Sequence, residues 1–140
     1  MLCGTYHYNI DPKGRLNFPA KLREDLGSSF MVTCSVADRC LVVYSMAEWE
    51  KLVAKVESLP MGKSRAVRRR LFANAQEVSP DKQGRILIPQ ELMTYAQLSK
   101  EATVLGISNY CEIWDDSLLE QQMNEEDQQM LAETVEELGL

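Results

Sequence analysis

Two arginines each stand directly after a glycine and four residues after an aspartate, in Asp11-Pro12-Lys13-Gly14-Arg15 and Asp81-Lys82-Gln83-Gly84-Arg85. A guanidinium is a planar fork of hydrogen-bond donors, and a tight turn carries it clear of the strand that bears it. That arrangement suits guanine O6 and N7, a bidentate contact worth about 1–3 kcal/mol of discrimination. Lys13 and Lys82 lie at the turn tips, where a flexible point charge suits phosphate oxygens. Asp11 and Asp81 read as turn formers, because a carboxylate facing phosphate would repel it. The competing reading makes Arg15 and Arg85 internal ion-pair partners of those aspartates. Both hold if the carboxylate orients the fork until nucleic acid competes for it.

The two stretches are parts of one longer repeat. At an offset of 70 residues, Gly14 falls on Gly84, Arg15 on Arg85, Pro19 on Pro89 and Leu22 on Leu92, while Leu16 and Phe18 meet Ile86 and Ile88. A duplicated turn that keeps its arginine points to two copies of a binding element. An enzyme cleft more often needs unlike residues around one centre. No G-x-S-x-G, P-loop or H-E-x-x-H occurs, and His7, the one histidine, falls in a strand pattern, so catalysis is not expected. Cys3, Cys34, Cys40 and Cys111 form no C-x-x-C pair. Reduced, mostly buried thiols are expected, with neither a metal site nor a cofactor.

The elements that must hold these turns follow from local chemistry. Thr5–Ile10 reads as a strand entering the first turn. Asp, Pro and Gly suit positions i, i+1 and i+3 there, and Gly14 suits a three-residue hairpin loop with a bulge. Arg15–Phe18 and Arg85–Ile88 are short strands ended by Pro19 and Pro89, which also suit helix starts. Helices are expected over Ala20–Leu26 and Gln90–Leu98. A β-hairpin follows in each copy, Phe30–Cys34 with Cys40–Tyr44, and Thr103–Ile107 with Tyr110–Trp114. Ser45-Met46-Ala47-Glu48 is a capping-box pattern, and Asp115-Asp116-Ser117 offers N-caps for the second copy's helix. Trp49 and Trp114 are expected in the core, at matching ends of the hairpins.

Between the copies, a helix over Lys63–Gln76 carries Arg65, Arg68, Arg69 and Arg70, which suit either secondary phosphate contacts or salt bridges in an oligomer. Lys21 and Arg23 read as surface charges of minor electrostatic weight. One amphipathic helix is expected over Ser117–Leu138. The units are then 1–50, a helical linker with the basic cluster at 51–75, a second unit at 76–120, and an acidic helix or tail at 121–140. Each copy is about 45 residues, too small to bury much core alone, so the halves should complete each other or oligomerise.

The formal net charge of −6 hides a division. All 15 Lys and Arg lie in residues 1–100 with 10 acids, whereas residues 101–140 hold 11 acids and no Lys or Arg. A mildly basic body is compatible with nucleic acid where the overall pI would argue against it. No apolar run approaches a membrane span and no signal peptide is evident, so cytoplasmic residence is the expectation.

With Pro19-Ala-Lys-Leu-Arg, Cys40-Leu-Val-Val-Tyr, Arg68-Arg-Arg-Leu-Phe and Ile113-Trp114 in order around the two Asp-to-Arg turns, the chain resembles the MraZ family over about residues 1–120. The resemblance implies an α+β fold with a mainly β core. It implies two SpoVT/AbrB-like units in one chain, packed as an intramolecular pseudo-dimer of swapped hairpins with flanking helices. It also implies a transcriptional regulator, nucleoid-associated, that binds double-stranded DNA at repeated promoter elements of the division and cell-wall gene cluster and forms ring-like homo-oligomers. Gln83 opposite Lys13 is a departure, which Lys82 offsets by one residue. The alternative is an antitoxin-like module that wraps a protein partner with its acidic tail.

Overall fold

Pro12 and Gly14 interrupt the first apolar run, so the chain opens as β1 (Leu2–Asn9) and β2 (Arg15–Asn17) in a computed structural model describing residues 1–140. Pro19 starts α1 (Ala20–Leu26), with its ring fixing φ where no helical donor is needed. The β-branched and aromatic runs that follow pair as a hairpin of β3 (Phe30–Cys34) and β4 (Leu41–Ser45). Ser45 Oγ accepts the Glu48 amide at 3.2 Å and caps α2 (Met46–Glu57), and Pro60 opens α3 (Met61–Phe72). The second copy repeats the order as β5 (Gln76–Val78), β6 (Arg85–Leu87), α4 (Gln90–Tyr95), β7 (Glu101–Ser108) and β8 (Cys111–Asp115). It ends in α5 (Asp116–Asn124) and α6 (Gln128–Glu137).

The copies exchange strands. In the six-stranded antiparallel sheet the order is β1-β7-β8-β4-β3-β5, so the first strand of each copy lies beside the hairpin of the other. At the sheet centre Val42 is paired with Glu112, and in the separate β2–β6 ribbon Leu16 is paired with Ile86. Both pairs are 70 residues apart, so one pseudo-twofold axis runs through both. This is a pseudo-dimer of swapped hairpins within one chain.

Alternation assigns the two faces of the sheet. Phe30, Val32, Leu41, Val43, Ala102, Val104 and Ile113 point one way into a single core shared with Leu16, Ile86, Leu22 and Leu92, so the ribbon, α1 and α4 cover that face. Thr33 and Thr103 point the other way. Thr33 Oγ1 donates to the Leu71 carbonyl of α3 at 2.6 Å, and Thr103 Oγ1 donates to Asp116 of α5 at 2.6 Å. Helices α2, α3 and α5 therefore lie on the face opposite the ribbon.

Several boundaries depart from the sequence reading. The first strand begins at Leu2 and not Thr5, because β7 supplies a partner along its whole length. Helix α4 stops at Tyr95, where Gln97 takes φ 53° and the Leu98 amide closes back on the Met93 carbonyl at 2.9 Å. Helix α3 ends at Phe72, short of Gln76, which joins β5. The expected single C-terminal helix is two, since Asp127 caps a new helix by accepting the Met130 amide at 3.0 Å. Trp114 is buried, but its counterpart is Tyr44; Trp49 lies half-buried on α2 with its ring 5.7 Å from that of Phe72.

Candidate nucleic-acid interface

The chemistry of both turns is built from the aspartate outward. Asp11 Oδ1 accepts the Lys13 and Arg15 amides, each at 2.9 Å, and the Gly14 amide returns to the Asp11 carbonyl at 2.9 Å. Asp81 repeats this set, with the Gln83 and Arg85 amides at 2.9 Å and the Gly84 amide on its carbonyl at 2.9 Å. Gly14 and Gly84 take φ of 85° and 78°, the left-handed conformation that the bulged loop demands and an L side chain resists. The remaining carboxylate oxygen holds the arginine. Arg15 Nε lies 2.5 Å from Asp11 Oδ2, and Arg85 Nε lies 2.9 Å from Asp81 Oδ2.

These contacts set the protonation of both acids. The amide of the following arginine, ahead of its guanidinium, holds each carboxyl below the ordinary 3.8. Each aspartate is therefore charged at neutral pH and fixes one edge of its guanidinium. The outer nitrogens of Arg15 and Arg85 donate to no protein group.

The ribbon brings both arginines to one surface. Leu16 and Ile86 are fully buried beneath it, so their neighbours Arg15, Asn17, Arg85 and Leu87 must face outward. Arg15 is opposite Leu87 and Arg85 opposite Asn17, which makes the arginines diagonal neighbours, a relation spanning about 7–8 Å in such pairs. The Phe18 amide bonds the Gly84 carbonyl and the Ile88 amide the Gly14 carbonyl, each at 2.9 Å, so each copy's ribbon strand ends on the other copy's turn glycine. A three-residue ribbon is too short to stand alone. Burying Leu16 and Ile86 stabilises it by about 1.5–3 kcal/mol each. Lys13 and Lys82 are both exposed at the tips.

Arg23 belongs to this surface too, which the sequence reading missed. Its Nε donates to the Phe18 carbonyl at 2.9 Å, and a Cβ built on Gly84 would lie 2.9 Å from its Nη2. The guanidinium of the first copy thus rests against the second copy's turn, in none of the four ion pairs of the chain. Met93 stands at the matching position and lines a cavity with Asp11, Lys13 and Gly14 of the first turn. The signal available was the offset itself: an arginine aligned with a methionine on helices that the swap carries to opposite turns.

Arg65, Arg68, Arg69 and Arg70 lie elsewhere. They are on α3, which lies across the sheet from the ribbon; Arg68 Nε donates to Ser64 Oγ at 2.9 Å, while Arg70 reaches Tyr95 at the end of α4, 5.7 Å from its ring centroid. On that same side Asp38, Cys40 and Glu112 bring donor atoms within 4.8 Å of one another. Burial pushes the Cys40 thiol and the Glu112 carboxyl up, which favours their neutral forms, and Glu112 accepts the Trp114 indole at 2.9 Å. No helix is long and apolar enough to cross a membrane.

Comparison with known proteins gives a consistent pattern. A family described as "MraZ protein, putative antitoxin-like" matches twice, over residues 1–70 and 71–139. The protein named Transcriptional regulator MraZ of Acetivibrio thermocellus is 45% identical over 139 residues, covering 98% of this chain and 95% of that one. The two family matches divide the chain where the 70-residue offset does.

Proposed function

The chain belongs to the MraZ family, and we propose that it is a transcriptional regulator that binds double-stranded DNA in a sequence-specific manner. One observation carries the reading: Arg15 and Arg85 share the outward face of a two-stranded ribbon, each oriented by an aspartate and each with free outer donors. A two-stranded ribbon fits the major groove, and a pre-oriented guanidinium loses little freedom on pairing with a guanine edge. Lys13 and Lys82 take flanking phosphates, and Arg23 adds a third cation beside the second turn. No catalytic role is assigned.

A single ribbon makes few contacts. Useful affinity rests on several copies engaging repeated promoter elements together, where avidity adds about 10²–10⁴ over one site. The targets in this reading are the repeats upstream of the division and cell-wall gene cluster, including the protein's own gene, with the protein nucleoid-associated in the cytoplasm. A second reading, an antitoxin-like module whose acidic arm wraps a protein partner, is favoured by α6, none of whose residues is buried.

The test is binding of a fluorescent duplex carrying the upstream repeats, against a scrambled duplex. Arg15→Ala and Arg85→Ala should each weaken specific binding by about 5–150-fold, the equivalent of about 1–3 kcal/mol, and leave melting unchanged. Affinity should fall steeply between 50 and 200 mM salt, about 0.9 log units per log unit of salt for each phosphate contact. Unchanged affinity in both variants would remove DNA as the ligand of this surface.

A further inference from the structure

The centre of the sheet breaks the symmetry that the rest of the molecule keeps. On the face away from the ribbon, donor atoms of Asp38, Cys40 and Glu112 lie within 4.8 Å of one another. At the offset of 70 their counterparts are Ser108, Tyr110 and Val42. Both copies follow one backbone plan, so the fold itself requires neither a carboxylate nor a thiol at these positions. Glu112 is the plainest case, because it is paired across the pseudo-twofold axis with Val42 itself.

Strand pairing assembles the three groups. Fully buried Cys40 leads into β4, and Glu112 lies on β8, the next strand in the sheet. Ser35 Oγ accepts the Ala37 and Asp38 amides at 3.2 Å each and so sets the hairpin loop that carries Asp38. The Trp114 indole donates to Glu112 Oε1 at 2.9 Å, while Oε2 receives no hydrogen bond. The Asp38 carboxylate is in none of the four ion pairs, although Arg39 is its neighbour; that guanidinium lies 4.7 Å over the Tyr95 ring instead. Nothing positive offsets the group. Burial, then Glu112 and Asp38, push the Cys40 thiol up, and burial, then Asp38, push the Glu112 carboxyl up against the pull of Trp114. Tyr44 and Tyr110, with rings 5.6 Å apart, are pushed up by burial first and then by acidic neighbours, Glu112 among them. A cavity of about 210 Å³ opens beside Asp38 and Glu112, walled by both tyrosines and by Leu52 and Leu71 of α2 and α3. Polar walls and that volume leave room for water.

We propose that Asp38, Cys40 and Glu112 form a three-donor site for a transition-metal dication of the Zn²⁺ class, with its fourth position open to the cavity. A thiolate beside two carboxylates suits Zn²⁺ or Co²⁺ and disfavours Mg²⁺ and Ca²⁺, which take oxygen donors. Zinc bonds of about 2.0–2.3 Å put the donors of one tetrahedral shell about 3.5 Å apart, inside the 4.8 Å limit that the three groups meet. On binding, the Cys40 S–H bond breaks, the proton leaves to solvent, and the sulfur electron pair forms the metal–thiolate bond. The Trp114 indole fixes the plane of the Glu112 carboxylate from outside the shell. Asp38 and Cys40 belong to the first repeat and Glu112 to the second, so the ion clips the copies together at the axis. Sequence spacing does not disclose the site, since its third donor arrives only through the β4–β8 pairing. The clip lies across the sheet from the turns and holds whatever they bind.

Cobalt(II) is the probe, because a cysteine sulfur bound to it gives a charge-transfer band in the near ultraviolet. The full chain, reduced and stripped with chelator, should develop that band on titration with CoCl₂ and lose it when ZnCl₂ is added. Excess MgCl₂ should not compete. In weak buffer each ion taken up should release a proton. Cys40→Ser should abolish the band, and Asp38→Asn and Glu112→Gln should each weaken cobalt binding. Cys3→Ser, which removes the exposed thiol, should keep it. Asp38→Asn sits on a loop and keeps the side-chain shape, so it serves if Cys40→Ser does not fold by circular dichroism. Zinc should also raise the melting temperature of the intact chain more than that of Glu112→Gln. No band in the intact chain overturns the proposal. So does a band lost in Cys3→Ser and kept in Cys40→Ser, or unchanged cobalt affinity in both carboxylate variants. Arg15→Ala should bind cobalt as the intact chain does, and a chain that binds DNA but no cobalt defeats the metal site alone.

Discussion

At Asp11 and Asp81 one carboxylate does two jobs: Oδ1 closes the loop by receiving two amides, and Oδ2 holds the arginine. Both jobs need the ionised form, which fixes the pH behaviour of the surface. A carboxyl whose folded pKa is depressed contributes order that is fully present above its unfolded value and is lost as pH falls through the folded one. The amide shifts of Arg15 and Arg85 should therefore stay constant from pH 7 down to about 4 and move only below the ordinary 3.8. A two-dimensional NMR titration reads this directly. An amide midpoint at or above 4 would mean that the carboxylates are not gripping the loops. The same grip limits what is free for a ligand: Nε is already used, so recognition falls to the outer nitrogens of each fork.

Among the elements, the most demanding contact is between β1 and β7. A Cβ built on Gly106 would lie 2.4 Å from the backbone nitrogen of Cys3 and 2.6 Å from its Cα, and backbone of a paired strand cannot step aside. Gly106→Ala should therefore lift the start of β1, cost about 1–3 kcal/mol, and speed amide exchange over residues 2–5. The far end of β1, paired with residues 101–104, should stay protected, and so should the turn beyond it. Uniform exchange along β1, or none changed, would contradict this reading of the close approach. The same pairing explains what the sequence did and did not disclose. Turns, proline stops and the β3–β4 hairpin rest on neighbours in the chain, so Asp11, Gly14, Arg15 and their repeats were legible. The start of β1 at Leu2 depends on β7, about a hundred residues away, and could not be read locally. Arg23 was missed for the same reason, because its turn neighbour Gly84 reaches it only through the swap. The break before α6 was legible in principle in Asp127 as an N-cap, but the apolar spacing of Leu119, Met123, Met130 and Leu138 outweighed it.

For the whole molecule, the swap means that neither half contains its own partners. Residues 1–70 hold β1 without β7, β3 without β5, and Leu16 without Ile86 above a shared core. The cross-bonds from Phe18 to Gly84 and from Ile88 to Gly14 vanish as well. A fragment of that size buries a smaller share of its surface than the full chain and loses most of its non-local pairing. Residues 1–70 alone should therefore be unfolded, or should pair with a second copy of themselves and turn the pseudo-twofold into a true one. Mixing with residues 71–140 should restore a cooperative melt and dispersed amide resonances, with one fragment of each kind per particle. The check is circular dichroism melting and mass of each fragment, alone and mixed. A monomeric 1–70 fragment with a cooperative transition of its own would show that the two repeats are separate domains, and the ribbon that carries both arginines would then be a docking accident of two independent units.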